Sequence, residues 1–186
     1  HKHWGCGCFY PPLPLKSQKF LLDANTFITP FQNYYSFDFA PGFWTQLEPK
    51  LKLDSVYVLD VAKNEVMKGE DELSEWFGAL SDANIVDRRN ASIVAKYGEV
   101  LRFLQDSPLY SDKALRNWSD VNVADPWLIA TARTLGYTLV TFETSAGIIS
   151  VNNPSGKPKI PDVARMFDVK CENLFYFMRK MNIAWL

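Results

Sequence analysis

The chain has 186 residues, of which 47% are apolar, 15% aromatic and 22% charged, with a formal net charge of −1. That length supports one sizeable core rather than two ordinary domains, and the near-neutral balance excludes a global field that would gather nucleic acid. No apolar run approaches the roughly 20 residues needed to cross a bilayer, and the opening HKHWGCGCFYPPLPL lacks the continuous apolar stretch of a secretory signal, so a cytoplasmic protein with no membrane partner is expected.

Residues 1–17 contain Gly5, Gly7, Pro11, Pro12 and Pro14, which suit neither helix nor strand interiors. They are set apart as an irregular extension from a domain over 18–186. His1, His3, Cys6 and Cys8 fall here, at spacings that match no zinc pattern. With Cys171 the cysteines number three, an odd count poorly suited to a disulfide framework.

The run Lys19 to Leu22 reads as a buried strand that ends on Asp23 and hands over to a helix through Ala24 to Ile28. Residues 30–42, rich in Tyr and Phe, read as an ordered aromatic loop. Phe43, Trp44, Leu47, Leu51 and Leu53 then recur at helical spacing, interrupted by Pro49. Ser55 to Leu59 is a second strand, and Asp60 is placed to cap a helix over 61–68 that Gly69 would stop. The middle third reads as a helical block, with patterns over 73–80, 91–104 and 111–118. Ala124 to Leu135 gives a helix ended by Gly136, and Tyr137 to Phe142 gives a strand. After the breaker Asn152 to Pro158, Pro161 opens a helix and Leu174 to Met181 closes the chain. Strands separated by helices imply an α/β fold with a mostly parallel sheet covered on both faces.

Ligands of open parallel sheets sit beyond the carboxyl ends of the strands. Asp23 and Glu143 follow strand ends, while Glu65 and Asp125 lie near the starts of helices at the same rim. Four carboxylates in one place raise one another's pKa unless a cation compensates, and oxygen ligands of this kind suit Mg²⁺ or Mn²⁺. The chemistry that follows is phosphodiester hydrolysis. Each acid also has a simpler explanation. Asp23 and Asp125 could be helix caps, Glu65 a solvated helix residue and Glu143 a loop charge, and spacing alone does not choose between the two.

Leu21-Leu22-Asp23-Ala24-Asn25-Thr26-Phe27-Ile28 resembles the opening strand and first acid of PIN domains. Ala124-Asp125-Pro126-Trp127-Leu128-Ile129-Ala130-Thr131-Ala132 is similar to the segment that carries that family's third acid, and Leu139-Val140-Thr141-Phe142-Glu143 to its last strand and fourth polar position. Val61 to Gly69 resembles the helix that places the second acid, here Glu65. The likeness spans residues 19–182 and is nearest to a bacterial PIN-like subfamily with an aromatic insertion like that of Tyr34 to Trp44.

The resemblance implies a three-layer α/β/α nuclease fold and a metal-dependent ribonuclease, often the toxin of a toxin–antitoxin pair. Asp23, Glu65 and Asp125 would be ligands with Glu143 as a longer fourth acid, and Asn25 and Thr141 would support them. RNA is the expected substrate and an antitoxin the expected partner, with a homodimer also compatible. Lys157 and Lys159, on the loop after the strand, are candidates for phosphate contacts. Arg88, Arg89, Lys96 and Arg102 form a basic face that is better read as solvated. Two other functions remain open: a catalytically degenerate binding module, and a nuclease for structured DNA.

Overall fold

The computed structural model describes residues 17–184. The extension through residue 16, with His1, His3, Cys6 and Cys8, lies outside them. β1 (Phe20–Leu22) is an apolar triplet buried on both sides, as a strand covered on two faces must be. α1 (Asn25–Thr29) runs directly into one π-helical turn, Pro30–Tyr34, so the stretch expected as loop begins as helix. Pro30 has no amide to donate, and the turn closes instead through the Tyr35 amide on the Pro30 carbonyl at 2.6 Å.

α2 (Pro41–Lys50) buries Phe43, Trp44 and Leu47 and carries Pro49 in its last turn. The aromatic segment before it mostly covers the core: Phe37 stacks on Trp44 at 4.6 Å, and Trp44 meets Trp76 at 5.0 Å. β2 (Val56–Leu59) leads into α3 (Asp60–Met67), where Asp60 Oδ1 accepts the Val61 amide at 2.8 Å. α4 (Glu72–Gly78) begins with a reciprocal capping box between Asp71 and Ser74. The middle third is not wholly helical. Between α4 and the helices α5 (Ala91–Asp106) and α6 (Asp112–Trp118) lies a two-residue strand, β3 (Ile85–Val86).

α7 (Ala124–Leu135) stops at Gly136, whose φ of 73° is the left-handed conformation that a helix terminus favours in glycine. β4 (Thr138–Val140) is shorter than expected, because Thr141 and Phe142 turn toward Asp23 and Asn25. α8 (Ile160–Met166) starts at Ile160-Pro161 as foreseen. An unforeseen strand, β5 (Cys171–Glu172), precedes α9 (Leu174–Lys180).

All five strands are parallel, in the order β3-β2-β1-β4-β5. The chain steps from β1 through β2 to β3 in one direction and returns to β4 and β5 in the other. Right-handed crossovers therefore set α2 to α4 on one face and α5 to α8 on the opposite face. This is the α/β architecture, a parallel sheet covered by helices on both faces, that the alternation of strands and helices implied. Connections diverge between β1 and β4, which makes the crevice at their carboxyl ends the topological switch point. Leu22 pairs with Val140 in register, so the next residue of each strand, Asp23 and Thr141, meets its neighbour there.

Candidate functional site

Asp23 is 5% exposed and Thr141 3%. Thr141 Oγ1 donates to Asp23 Oδ2 at 2.8 Å, accepts the Asn25 side-chain amide at 3.2 Å and accepts the Glu143 backbone amide at 3.0 Å. A hydroxyl has one proton and two lone pairs, so with both acceptor positions filled its proton is directed at Asp23. Asn25 is oriented in turn, its Oδ1 taking the Phe142 amide at 3.0 Å. The local sequence Asp-Ala-Asn makes this possible, because α1 begins at Asn25 and turns its side chain back over the crevice. Asn25 and Thr141, singled out from sequence as supports, thus stand in direct contact with the Asp23 carboxylate or with each other.

Asp23 does not cap α1, which has no side-chain cap. Likewise the N-cap position of α7 is Val123, and Asp125 lies inside the first turn, facing the rim. Burial pushes the Asp23 carboxyl up to about 7; the Thr141 bond opposes this, and the charges of Asp125 and Glu65 add to it. Asp125 is also pushed up to about 7, first by burial, then by Glu143 and Glu65, with Lys159 opposing. Glu65 is exposed as a residue, yet desolvation at the cleft wall raises its carboxyl, against the pull of Lys68. The four predicted acids are therefore electrostatic neighbours at one rim, with Asp125 feeling two of the others.

Among the described residues, Asp23, Glu65 and Asp125 form no ion pair with Lys or Arg. Partly desolvated carboxylates that repel one another and are not held in ion pairs are the donor set that a hard divalent ion satisfies. As the side chains stand, however, no three His, Cys, Asp or Glu among the described residues are close enough to hold one ion.

Glu143 is differently placed. Its Oε1 accepts Lys159 Nζ at 3.2 Å and its Oε2 accepts the Ile160 amide at 2.8 Å, at the start of α8. The lysine expected to meet phosphate is thus paired with the fourth acid. Lys157 is exposed on a loop strapped to α6, where Gly156 O accepts Asn117 Nδ2 at 2.9 Å. The basic face resolves largely into local pairs: Arg88 with Asp60, Arg89 with Asp87 and Lys96 with Glu99.

A cleft of about 700 Å³ opens beside the acids, lined by Asn64, Glu65 and Lys68 of α3 and by Asn122 and Asp125 at the start of α7. Asn64 and Lys68 escaped the sequence reading. Their signal was present in principle, since Lys68 lies three residues beyond Glu65 and shares its helix face. Cys171 is a free thiol, half-buried and pushed up to about 12 by burial. No helix among the described residues is long and apolar enough to cross a membrane.

Fold and rim together define an α/β protein with an acidic site at its switch point. Residues 20–185 match the family described as a domain of unknown function, DUF4411, and the chain belongs to that family. No curated protein sequence matches it. Solved structures of similar chain path include VapBC2 from Rickettsia felis bound to a DNA fragment from their promoter, at 18% identity, with 84% of this chain and 98% of that chain covered and a TM-score of 0.49. Another is DNA-bound VapBC from Salmonella typhimurium, at 16% identity, with 84% and 98% covered and a TM-score of 0.46.

Proposed function

We propose that this chain is a divalent-metal-dependent endoribonuclease that hydrolyses RNA phosphodiester bonds and is restrained by an antitoxin. The observation that carries the reading is the pairing at the switch point of the buried Asp23 carboxyl with the half-buried Asp125 carboxyl, each raised to about 7 and neither in an ion pair among the described residues. Asp23, Glu65 and Asp125 are the residues that would hold Mg²⁺ or Mn²⁺, and Glu143 adds a fourth charge next to Asp125. A divalent ion, when bound, supplies positive charge that attracts phosphate oxygens and acidifies water. Thr141 keeps the Asp23 carboxylate in one orientation, and Asn25 keeps Thr141 in place. Lys159, beside Glu143, offers a point charge to a phosphate entering the rim. An antitoxin would block this rim most simply by placing a basic side chain among the acids.

The test is cleavage of single-stranded and structured RNA, with matched DNA, by wild type, Asp23→Asn and Asp125→Asn in Mg²⁺ or Mn²⁺. The reading expects cleavage by wild type and its loss in both variants; cleavage undiminished by either substitution rejects it, and preference for DNA moves the substrate to structured DNA. One observation favours a second reading, a degenerate binding module: no three of the acids are gathered closely enough to hold one ion as they stand, and Glu143 is engaged by Lys159. That reading expects no cleavage of any nucleic acid and no response of stability to metal.

A further inference from the structure

Three aromatic rings form a stepped row along the same rim, and none has a part in the chemistry above. Tyr34, at the end of the π-helical turn, is 54% exposed, and Phe175, in the first turn of α9, is 41% exposed. Phe142 stands between them. Its centroid lies 6.3 Å from that of Tyr34 with the planes 21° apart, and 6.5 Å from that of Phe175 with the planes 80° apart. Phe142 and Phe175 also line a cleft of about 370 Å³ together with Thr141, Glu143 and Glu172.

The row joins the acids through a short chain of bonds. The Phe142 amide binds Asn25, Asn25 binds Thr141, and Thr141 binds Asp23. The segment that holds Tyr34 is not short of core to fill, since Phe43 and Trp44 nearby are 0% and 2% exposed. Tyr34 instead presents its ring to solvent nearly parallel to Phe142. Tyr34 and Phe142, nearly parallel and stepped along the rim, present faces of the kind that stacked bases use, with Phe175 edge-on beyond Phe142 where the strand turns into the cleft, and every base offers a π-face. Charge agrees with this occupant. The two carboxylates in the cleft are paired, Glu143 with Lys159 at 3.2 Å and Glu172 with Lys170 at 3.4 Å, so neither stands as a bare negative wall against a polyanion.

We propose that Tyr34, Phe142 and Phe175 form a stacking platform for the bases of a single nucleic-acid strand, which sets the strand's phosphates toward Asp23 and Asp125. The proposal rests on the phosphodiesterase reading for the direction in which the strand runs. Phe142 is half-buried, so the test changes the exposed rings: Tyr34→Ala, Phe175→Ala and Tyr34→Trp. Each is made in the Asp125→Asn chain and studied in chelator, so that hydrolysis and metal do not contribute, with thermal melting to verify the fold. Binding of short uridine and adenosine homopolymers, in ribo and deoxyribo forms, is compared with that of an abasic strand of equal length.

Each alanine variant is expected to weaken binding of base-bearing strands by between about fivefold and about a hundredfold. Abasic binding should be unchanged and Tyr34→Trp should retain affinity. Affinity for the ribo over the deoxyribo strands, or the reverse, then tells which nucleic acid the platform takes. Base-bearing strands that bind the parent chain no better than abasic ones, or alanine variants that bind like the parent, overturn the proposal and leave the row as a protein-docking face. Loss of the platform with Asp23-dependent cleavage intact refutes only this inference. Ring-dependent binding without any cleavage refutes only the nuclease reading.

Discussion

Thr141 and Asp23, 118 residues apart, are joined by a 2.8 Å hydrogen bond that ties the carboxyl ends of β4 and β1 at the switch point. Replacing Thr141 with Val removes the acceptor for both Asn25 Nδ2 and the Glu143 amide, as well as the donor to Asp23. Polar groups stranded in this way cost roughly 1–3 kcal/mol. Thr141→Val should therefore lower the unfolding midpoint by several degrees, and Thr141→Ser should restore most of it; equal melting of wild type and Thr141→Val would show the network to be energetically idle.

Metal binding is read most directly from stability, because a ligand that binds only the folded chain raises it, by about 2.7 kcal/mol at a hundred times its Kd. Excess Mn²⁺ should raise the melting temperature of wild type. Asp23→Asn and Asp125→Asn should lose that rise. An unchanged wild-type melting curve would make the acidic rim structural.

The pH dependence has a definite sign. Asp23 and Asp125 hold their protons in the folded state up to about 7, against an ordinary value of 3.8. The folded chain binds these protons more tightly than the unfolded chain, so the stabilisation is complete below pH 4 and is lost as pH rises toward 7. Each group contributes on the order of a few kcal/mol. In chelator, Asp23→Asn should therefore melt near wild type at pH 4 and above it at pH 8. The reverse order at pH 8 would mean that the Asp23 charge is compensated within the protein. Mn²⁺ should bind more tightly over the same rise, since its ligands must be deprotonated.

Glu143 separates a ligand from a neighbour. Its ion pair with Lys159 is partly solvated, with side chains 21% and 39% exposed, and such pairs contribute up to about 1 kcal/mol. Glu143→Gln should melt slightly below wild type while retaining most of the Mn²⁺-induced rise. A loss as complete as that of Asp125→Asn would instead make Glu143 a ligand.

The exit of α7 provides a test of the fold alone. Gly136 has a φ of 73° and no side chain or backbone atom within 4 Å of where a Cβ would stand. Gly136→Ala thus meets only backbone strain, about 1–2 kcal/mol. Gly136→Asn should cost less, as measured by chemical denaturation.

The parts legible from sequence share a physical basis. Asp23 ends a short apolar run and Asp125 opens a long helical one, both with ends that can be read, and a parallel sheet gathers such ends at one rim. Asn25 and Thr141 were picked out as supports only through the resemblance of their segments to the motifs of a known family. The edge strands were not legible: β3 and β5 have two residues each, too few for any period to show. The pairing of Glu143 with Lys159 was hidden for another reason. It depends on the path of the loop from 144 to 159, which returns Lys159 to the strand end by contacts of Ser155 with Leu109 and Ser111 that no local pattern encodes. The split fate of the aromatics, Trp44 inward and Tyr34 outward, was likewise set by the π-helical turn rather than by composition.

Those two-residue strands also govern how the molecule can meet others. Because β3 and β5 close the sheet on either side, each flank offers at most a couple of unpaired backbone groups to an incoming strand. Growth of the sheet by a second copy or by an extended peptide therefore has almost no template. A stable partner of this protein has to be recognised through side chains, on helix faces or at the acidic rim, and its surface must be shaped accordingly.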